Sequence, residues 1–132
     1  MQTTCYCAAL RAASRKTTAL YDEALTPAGI GVAQYSLMRR IRRAGAVSLT
    51  ELARLAELDR STVGRNVRVL ERMGLVTETT AEDQRETAVA LTEAGRERLR
   101  RARPLWDEAQ RRIEAAIGAE RAETLRVLAQ SL

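Results

Sequence analysis

At 132 residues, with 22 basic against 17 acidic side chains, the chain carries a net charge of +5. That length supports one hydrophobic core to which dimerisation would add buried surface, and with 3% aromatics and no Phe the core must come from Leu, Ala, Val and Ile at helical spacing. Two cysteines and no histidine exclude a disulfide framework and a mononuclear zinc site within one chain, and no apolar run reaches the roughly 18 residues of a membrane span.

From Thr4 to Leu25 there is neither Gly nor Pro, and Tyr6, Leu10, Ala13, Thr17, Leu20 and Ala24 recur at helical spacing, predicting a long first helix. A second stripe of Cys7, Ser14, Thr18, Tyr21 and Leu25 lies on another side, so two neighbours or a partner subunit are expected against it. Thr26-Pro-Ala-Gly29 breaks this helix, and Val32 to Ala44 resumes a helical pattern with Tyr35, Met38 and Ile41 inside. Arg39, Arg40, Arg42 and Arg43 crowd the end of that second helix. They suit either the negative end of its macrodipole or a DNA backbone.

Ser48-Leu-Thr-Glu51 has the spacing of a capping box, in which serine and glutamate satisfy each other's backbone donors. The helix it opens carries Leu49, Leu52, Ala53 and Ala56 on its apolar side and is expected to end near Leu58. Asp59 then caps a second short helix that Gly74 can terminate. At about 100° per residue, Val63, Val67 and Leu70 fall within about 60° of one another, while Ser61, Arg65, Arg68 and Arg72 gather opposite. Two short helices joined by a tight turn make a helix-turn-helix.

The β-branched runs Leu75 to Thr80 and Glu86 to Leu91, separated by polar Ala81 to Arg85, predict a hairpin with a charged tip. Thr92 should cap a last long helix with Leu99, Ala102, Trp106, Ala109, Ile113 and Ala116 on one side and a kink at Pro104. Gly118 interrupts it before Ala122, Leu125 and Leu128 form a terminal helix. The expected fold is therefore mainly α with a small β-hairpin wing: a winged helix-turn-helix over 29–92, with dimerisation helices at 1–28 and 93–132, all within a single domain 1–132.

A helix-turn-helix followed by a wing suits duplex DNA, the second helix in the major groove and the wing across an adjacent minor groove. All but one of the basic residues, Lys16, are arginines, which fork onto phosphate and guanine. Ser61, Thr62 and Arg65 are the candidates for base-edge contact, Arg60, Arg68 and Arg72 lie nearer the phosphates, and Asn66 completes the helix's candidate set. At the wing, Asp83 can brace Arg85 for a narrow A·T-rich groove. An enzyme would need a nucleophile, a base and an orienting group, and with no histidine and no phosphate-cradling glycine loop none can be assembled. The alternatives are a helical interaction module without DNA binding, which has no need of Arg85 at a wing tip, or a metal-responsive regulator.

The runs Asp83-Gln-Arg85 and Val89-Ala-Leu-Thr-Glu-Ala-Gly95 resemble the D-x-R…V-x-L-T-x-x-G signature of the MarR family of bacterial transcription regulators. The segment from Asp59 to Val76 resembles that family's recognition helix, with Gly64 where a small hydroxyl residue is common. The resemblance implies a winged-helix homodimer, held by its first and last two helices, that binds a pseudo-palindromic operator and usually represses. With no apolar span and no signal-peptide pattern at the N-terminus, the chain is expected in the cytoplasm with no membrane partner, and no cofactor is expected.

Cys7-Ala-Ala-Leu-Arg-Ala-Ala-Ser-Arg15, with Tyr21 and Ala33-Gln-Tyr35, resembles the family's organic-hydroperoxide-sensing branch, in which two tyrosines of the partner subunit hold a thiolate at the Cys7 position. Tyr21 matches one tyrosine; Val32, with no hydroxyl, stands at the other. Cys7 and Tyr21 are separated by 14 residues of helix, roughly 21 Å, so they could meet only across a dimer. Cys5 and Cys7 together could offer two chains' thiolates to a soft metal, and small interface cysteines are the plainer reading. A third signal is a small organic ligand or carboxylate near Tyr21, Tyr35, Met38 and Trp106, with Arg11 or Arg15 as its counter-ion.

Overall fold

The computed structural model describes residues 3–80 and 87–132. In chain order it comprises α1 (Tyr6–Leu25), a 3₁₀ turn at Thr26–Ala28, α2 (Val32–Ala44), β1 (Val47–Ser48), α3 (Leu49–Ala56), α4 (Arg60–Arg72), β2 (Val76–Thr80), β3 (Thr87–Leu91), α5 (Glu93–Ile117) and α6 (Ala119–Ser131). This is the winged helix-turn-helix expected from the sequence, with one addition. Val47 and Ser48 form a third strand that pairs antiparallel with β3, giving the order β1-β3-β2. A two-residue strand is too short to show an alternation, so tertiary pairing rather than local pattern creates it. The hairpin register runs from Val76 opposite Leu91 to Thr80 opposite Thr87. The tip, with Asp83 and Arg85, lies outside the described residues.

The starts of α2, α3, α4 and α5 each have a polar cap. The Asp22 carboxylate accepts from the Val32 N–H at 2.8 Å and the Gln34 side chain accepts from the Gly31 N–H at 2.9 Å, so the first turn of α2 is satisfied by the end of α1 and by its own side chain. Ser48 Oγ accepts from the Glu51 N–H at 3.1 Å. The reciprocal half of the expected capping box is not made, because Glu51 is held by the Arg54 guanidinium at 2.6 and 2.9 Å. A charge-assisted fork outcompetes one neutral donor. Helix α3 also stops at Ala56 rather than near Leu58. Glu57 turns left-handed, with φ of 54°, and the Leu58 N–H returns to the Ala53 carbonyl at 3.1 Å.

The core sits within the winged-helix lobe, where Leu25, Leu37, Met38, Ile41, Leu52, Val63, Val67, Leu70 and Leu99 are buried together. Helix α5 runs unbroken through Pro104. Its first turn meets the end of α4: the Thr92 hydroxyl donates to the Gly74 carbonyl at 2.6 Å and accepts from the Gly95 N–H at 3.0 Å, while the Thr92 N–H donates to the Leu75 carbonyl at 3.0 Å. A Cβ on Gly95 would lie 2.0 Å from that Leu75 oxygen. Away from the lobe the helices are bare. In α1 only Leu25 is buried and in α6 only Ala122, while Tyr6 is 82% exposed and Leu10 and Leu128 are each 53% exposed.

Two substitutions test these local arguments. Gly95→Ala should destabilise at or above the top of the about 1–3 kcal/mol range for overpacking, since the obstacle is backbone. Glu57→Gly should stabilise by about 1 kcal/mol through relief of the left-handed strain. Urea unfolding of both variants reads the opposite signs directly.

Candidate nucleic-acid interface

Helix α4 presents Arg60, Ser61, Arg65, Arg68 and Arg72 to solvent and buries Val63, Val67 and Leu70. The division follows from the 3.6-residue period, which places the apolar stripe on the core and leaves the basic stripe outside. Asn66 and Thr62 are half-buried on the flank.

The start of α4 is a short polar relay. One Asp59 carboxylate oxygen accepts from the Thr62 N–H at 2.8 Å and the other from the Thr62 hydroxyl at 2.8 Å; that hydroxyl in turn accepts from an Arg65 guanidinium N–H at 3.3 Å. Thr62 thus donates its hydroxyl to Asp59 and turns its oxygen to Arg65. The same contacts hold the Asp59 carboxyl below its ordinary value, first through the Thr62 backbone donor, then its hydroxyl, with the Arg65 charge in support.

The second basic group lies on α2. Ser36, Arg39, Arg40 and Arg43, at spacings of three and four, line a cleft of about 250 Å³. The Arg39 guanidinium stands 4.6 Å over the Trp106 ring and 5.7 Å from that of Tyr35, Arg103 approaches the same indole at 5.6 Å, and the two rings stack at 5.8 Å. Cation–π contact thus fixes Arg39 between α2 and α5. Arg40 Nε is buried without a hydrogen-bond partner among the described residues. Arg42 and Arg43 occupy the last turn, as the macrodipole favours. Ser36 joins the three arginines at i, i+3, i+4 and i+7, a spacing that places all four on one face of α2.

Charge pairing distinguishes these groups from much of α5 and α6. There Arg96–Glu93, Arg100–Glu97, Arg103–Asp107, Arg111–Glu108 and Arg126–Glu123 pair at three or four residues' distance, while Arg98, Arg101, Arg112 and Arg121 make no ion pair among the described residues. The α4 and α2 arginines make no ion pair among the described residues, and α4 carries four arginines to one acid, Glu71. The basic potential is thereby concentrated on the lobe.

Comparison with known proteins decides the family. The family model for MarR matches residues 30–87. The transcriptional regulator MosR of M. tuberculosis, solved in complex with DNA, is 32% identical, with a TM-score of 0.83 over 97% of this chain and 96% of that one. The chain belongs to the MarR family. A probable transcriptional regulator from Pseudomonas aeruginosa is 27% identical over 96% of both chains, with a TM-score of 0.87. A mutant MarR from E. coli complexed with operator DNA shares the fold at a TM-score of 0.83, with 22% identity over 92% of this chain and 89% of that one. No curated protein matches the chain.

In this MarR-family chain the sensing candidates stand apart from α4. Cys5 and Cys7 are exposed at the start of α1, and Cys5 occupies the N-cap position without a side-chain cap bond. No group of three or more metal-ligating side chains forms among the described residues. Tyr21 donates its hydroxyl to Gln110 of its own chain and lines a cleft of about 160 Å³ with Glu114, Leu125 and Arg126. Burial raises its pKa, with Arg126 opposing and Glu114 adding to the rise. Tyr35 and Met38 are buried in the core, Trp106 is half-buried above Tyr35, and Arg11 and Arg15 are exposed on α1. None of these five ligand-pocket candidates lines either of those two clefts. No described helix is long and apolar enough to cross a membrane.

The relay sets a pH dependence. A carboxyl held below its ordinary value of 3.8 contributes stability that is complete above that value and is lost as pH falls through the lower folded value. Asp59→Asn caps without a titrating charge. The stability difference between wild type and Asp59→Asn should therefore be constant from neutral pH to about pH 4 and shrink below it. Thermal melts at stepped pH check this; a difference that widens on acidification contradicts it.

Proposed function

We propose that the chain is a homodimeric, sequence-specific DNA-binding transcription regulator that represses from a pseudo-palindromic operator and is released by a signal at its dimer helices. The observation that carries the reading is the unneutralised arginine face of α4 on a winged helix-turn-helix, where four arginines stand with one acid and make no ion pair among the described residues. The apolar residues left bare on α1 and α6 supply the dimer surface, since each helix buries only one residue within its own chain. In this division residues 1–28 and 93–132 hold the dimer and 29–92 bind DNA. Arg60, Ser61, Arg65, Arg68 and Arg72 face the duplex from α4, Thr62 and Asn66 flank them, and Asp83 and Arg85 act at the wing. The protein works in the cytoplasm, is not an enzyme and needs no cofactor.

Two signals are carried forward. Thiol oxidation at Cys7, with Cys5 nearby, is supported by the resemblance to the hydroperoxide-sensing branch, and it requires Tyr21 to exchange Gln110 for the partner's thiolate. A small anionic ligand is supported by the α2 cleft, where Arg39 and Arg40 converge with Ser36 and one guanidinium nitrogen is unpartnered. A ligand there would act on α5 through the Trp106 stack.

The experiment is fluorescence anisotropy with the DNA upstream of the protein's own coding region. The reduced dimer should bind, with affinity falling steeply as salt rises. The double variant Arg65→Ala, Arg85→Ala should lose binding while remaining a folded dimer; retained binding would refute the DNA-facing assignment. Cumene hydroperoxide should release wild type reversibly with dithiothreitol, and Cys7→Ser should no longer respond. Unchanged binding under oxidant eliminates the thiol signal and leaves the anionic ligand.

A further inference from the structure

We infer that Arg68 reads a base edge in the major groove and that Gly64 is the residue that lets it do so. The inference rests on the DNA-binding reading above and changes the role of Arg68 within it from phosphate contact to specificity.

The fold gives Gly64 no structural reason to be glycine. Its backbone is ordinary helix, unlike Gly29, Gly45, Gly74 and Gly118, which have positive φ. A Cβ there would meet no backbone, unlike Gly95; the single neighbour is Arg68 Nη2, at 3.4 Å. A mid-helix glycine weakens a helix relative to alanine. The vacant space therefore serves the Arg68 side chain.

Helical side chains lean toward the N-terminus and cover the preceding turn. Arg68 follows this direction: its Nη2 lies 3.4 Å from where a Cβ at position 64 would stand, in contact with a methyl there but without room for a larger branched side chain. Its guanidinium therefore lies about one turn, roughly 5 Å, nearer the start of α4 than its own Cα. That brings it level with Ser61 and Arg65, in the half of a recognition helix that approaches base edges. Arg65 is bound back to Thr62 on the other side. Two guanidiniums are thus presented side by side, each able to fork onto guanine O6 and N7. A serine or threonine at position 64 would put its hydroxyl in the space Arg68 occupies and turn that side chain outward, toward the phosphates.

Selection of bound duplexes from a random-sequence pool by the intact dimer tests this, using wild type, Arg68→Ala, Gly64→Thr, Gly64→Ala and Arg72→Ala. The expected result is that Arg68→Ala and Gly64→Thr relax preference at the same base pair of each half-site, with affinity for the wild-type site down on the order of 10-fold or more. Gly64→Thr keeps the charge, so its salt slope should match wild type. Arg72→Ala should weaken all sequences alike and reduce the dimer's salt slope by about 2, one phosphate per subunit. Gly64→Ala should melt higher than wild type, showing that the glycine is not needed for folding. If Arg68→Ala keeps the wild-type motif and only lowers affinity uniformly with a shallower salt slope, Arg68 is a phosphate contact and the inference is overturned while the regulator reading stands. If wild type selects no motif, the sequence-specific regulator reading falls and this inference with it.

Discussion

The arrangement of the DNA-binding lobe depends on one close approach, the Leu75 carbonyl against the α-carbon of Gly95. No side chain fits at position 95, since a Cβ would stand 2.0 Å from that oxygen. Around it, Thr92 donates to Gly74, accepts from Gly95 and gives its own N–H to Leu75. Three hydrogen bonds and one steric exclusion thus tie the end of α4 to the start of α5, with the wing hairpin leaving and returning at the same point. The junction has little freedom, because the Leu75 carbonyl leaves no room for a side chain at position 95 and three hydrogen bonds converge beside it. The direction of the recognition helix is therefore coupled to the helix that leads away from the lobe.

That coupling gives α5 its place in the molecule. Its first turn grips the wing, its middle carries Trp106 between Arg39 and Arg103, and further along Gln110 receives the Tyr21 hydroxyl from α1. One helix thus touches the recognition helix's exit, the basic cleft of α2 and the long first helix. A change at either of the latter two is applied to an element whose other end is locked to α4.

Electrostatics divides the surface by function. Five arginines on α5 and α6 pair with carboxylates at three- or four-residue spacing, which neutralises them locally and suits solvent-facing helix. On α4 the acids are replaced by Ser61 and a succession of arginines, and the one carboxylate at its start, Asp59, is engaged with Thr62 and so orients Arg65 rather than cancelling it. Neutralisation where the chain meets water, and its omission where it meets a polyanion, follow from the same spacing rule.

The sequence by itself determined the helices, the caps at Asp59 and Thr92 and the basic face of α4, because each rests on local periodicity or on a side chain reaching its own backbone. The span 32–44 and the Asp59 start of α4 follow for that reason. Tertiary structure alone decided what depends on groups distant in sequence. Val47–Ser48 became a strand only because β3 lies beside it, and the Tyr21 hydroxyl found Gln110 across α1 and α5. The five residues gathered into a ligand pocket by size and charge were divided between core and surface, since periodicity gives the face of a helix but not the partner that face meets. Apolar stripes on α1 and α6 were visible in the sequence; that their own chain leaves them bare was visible only in the fold.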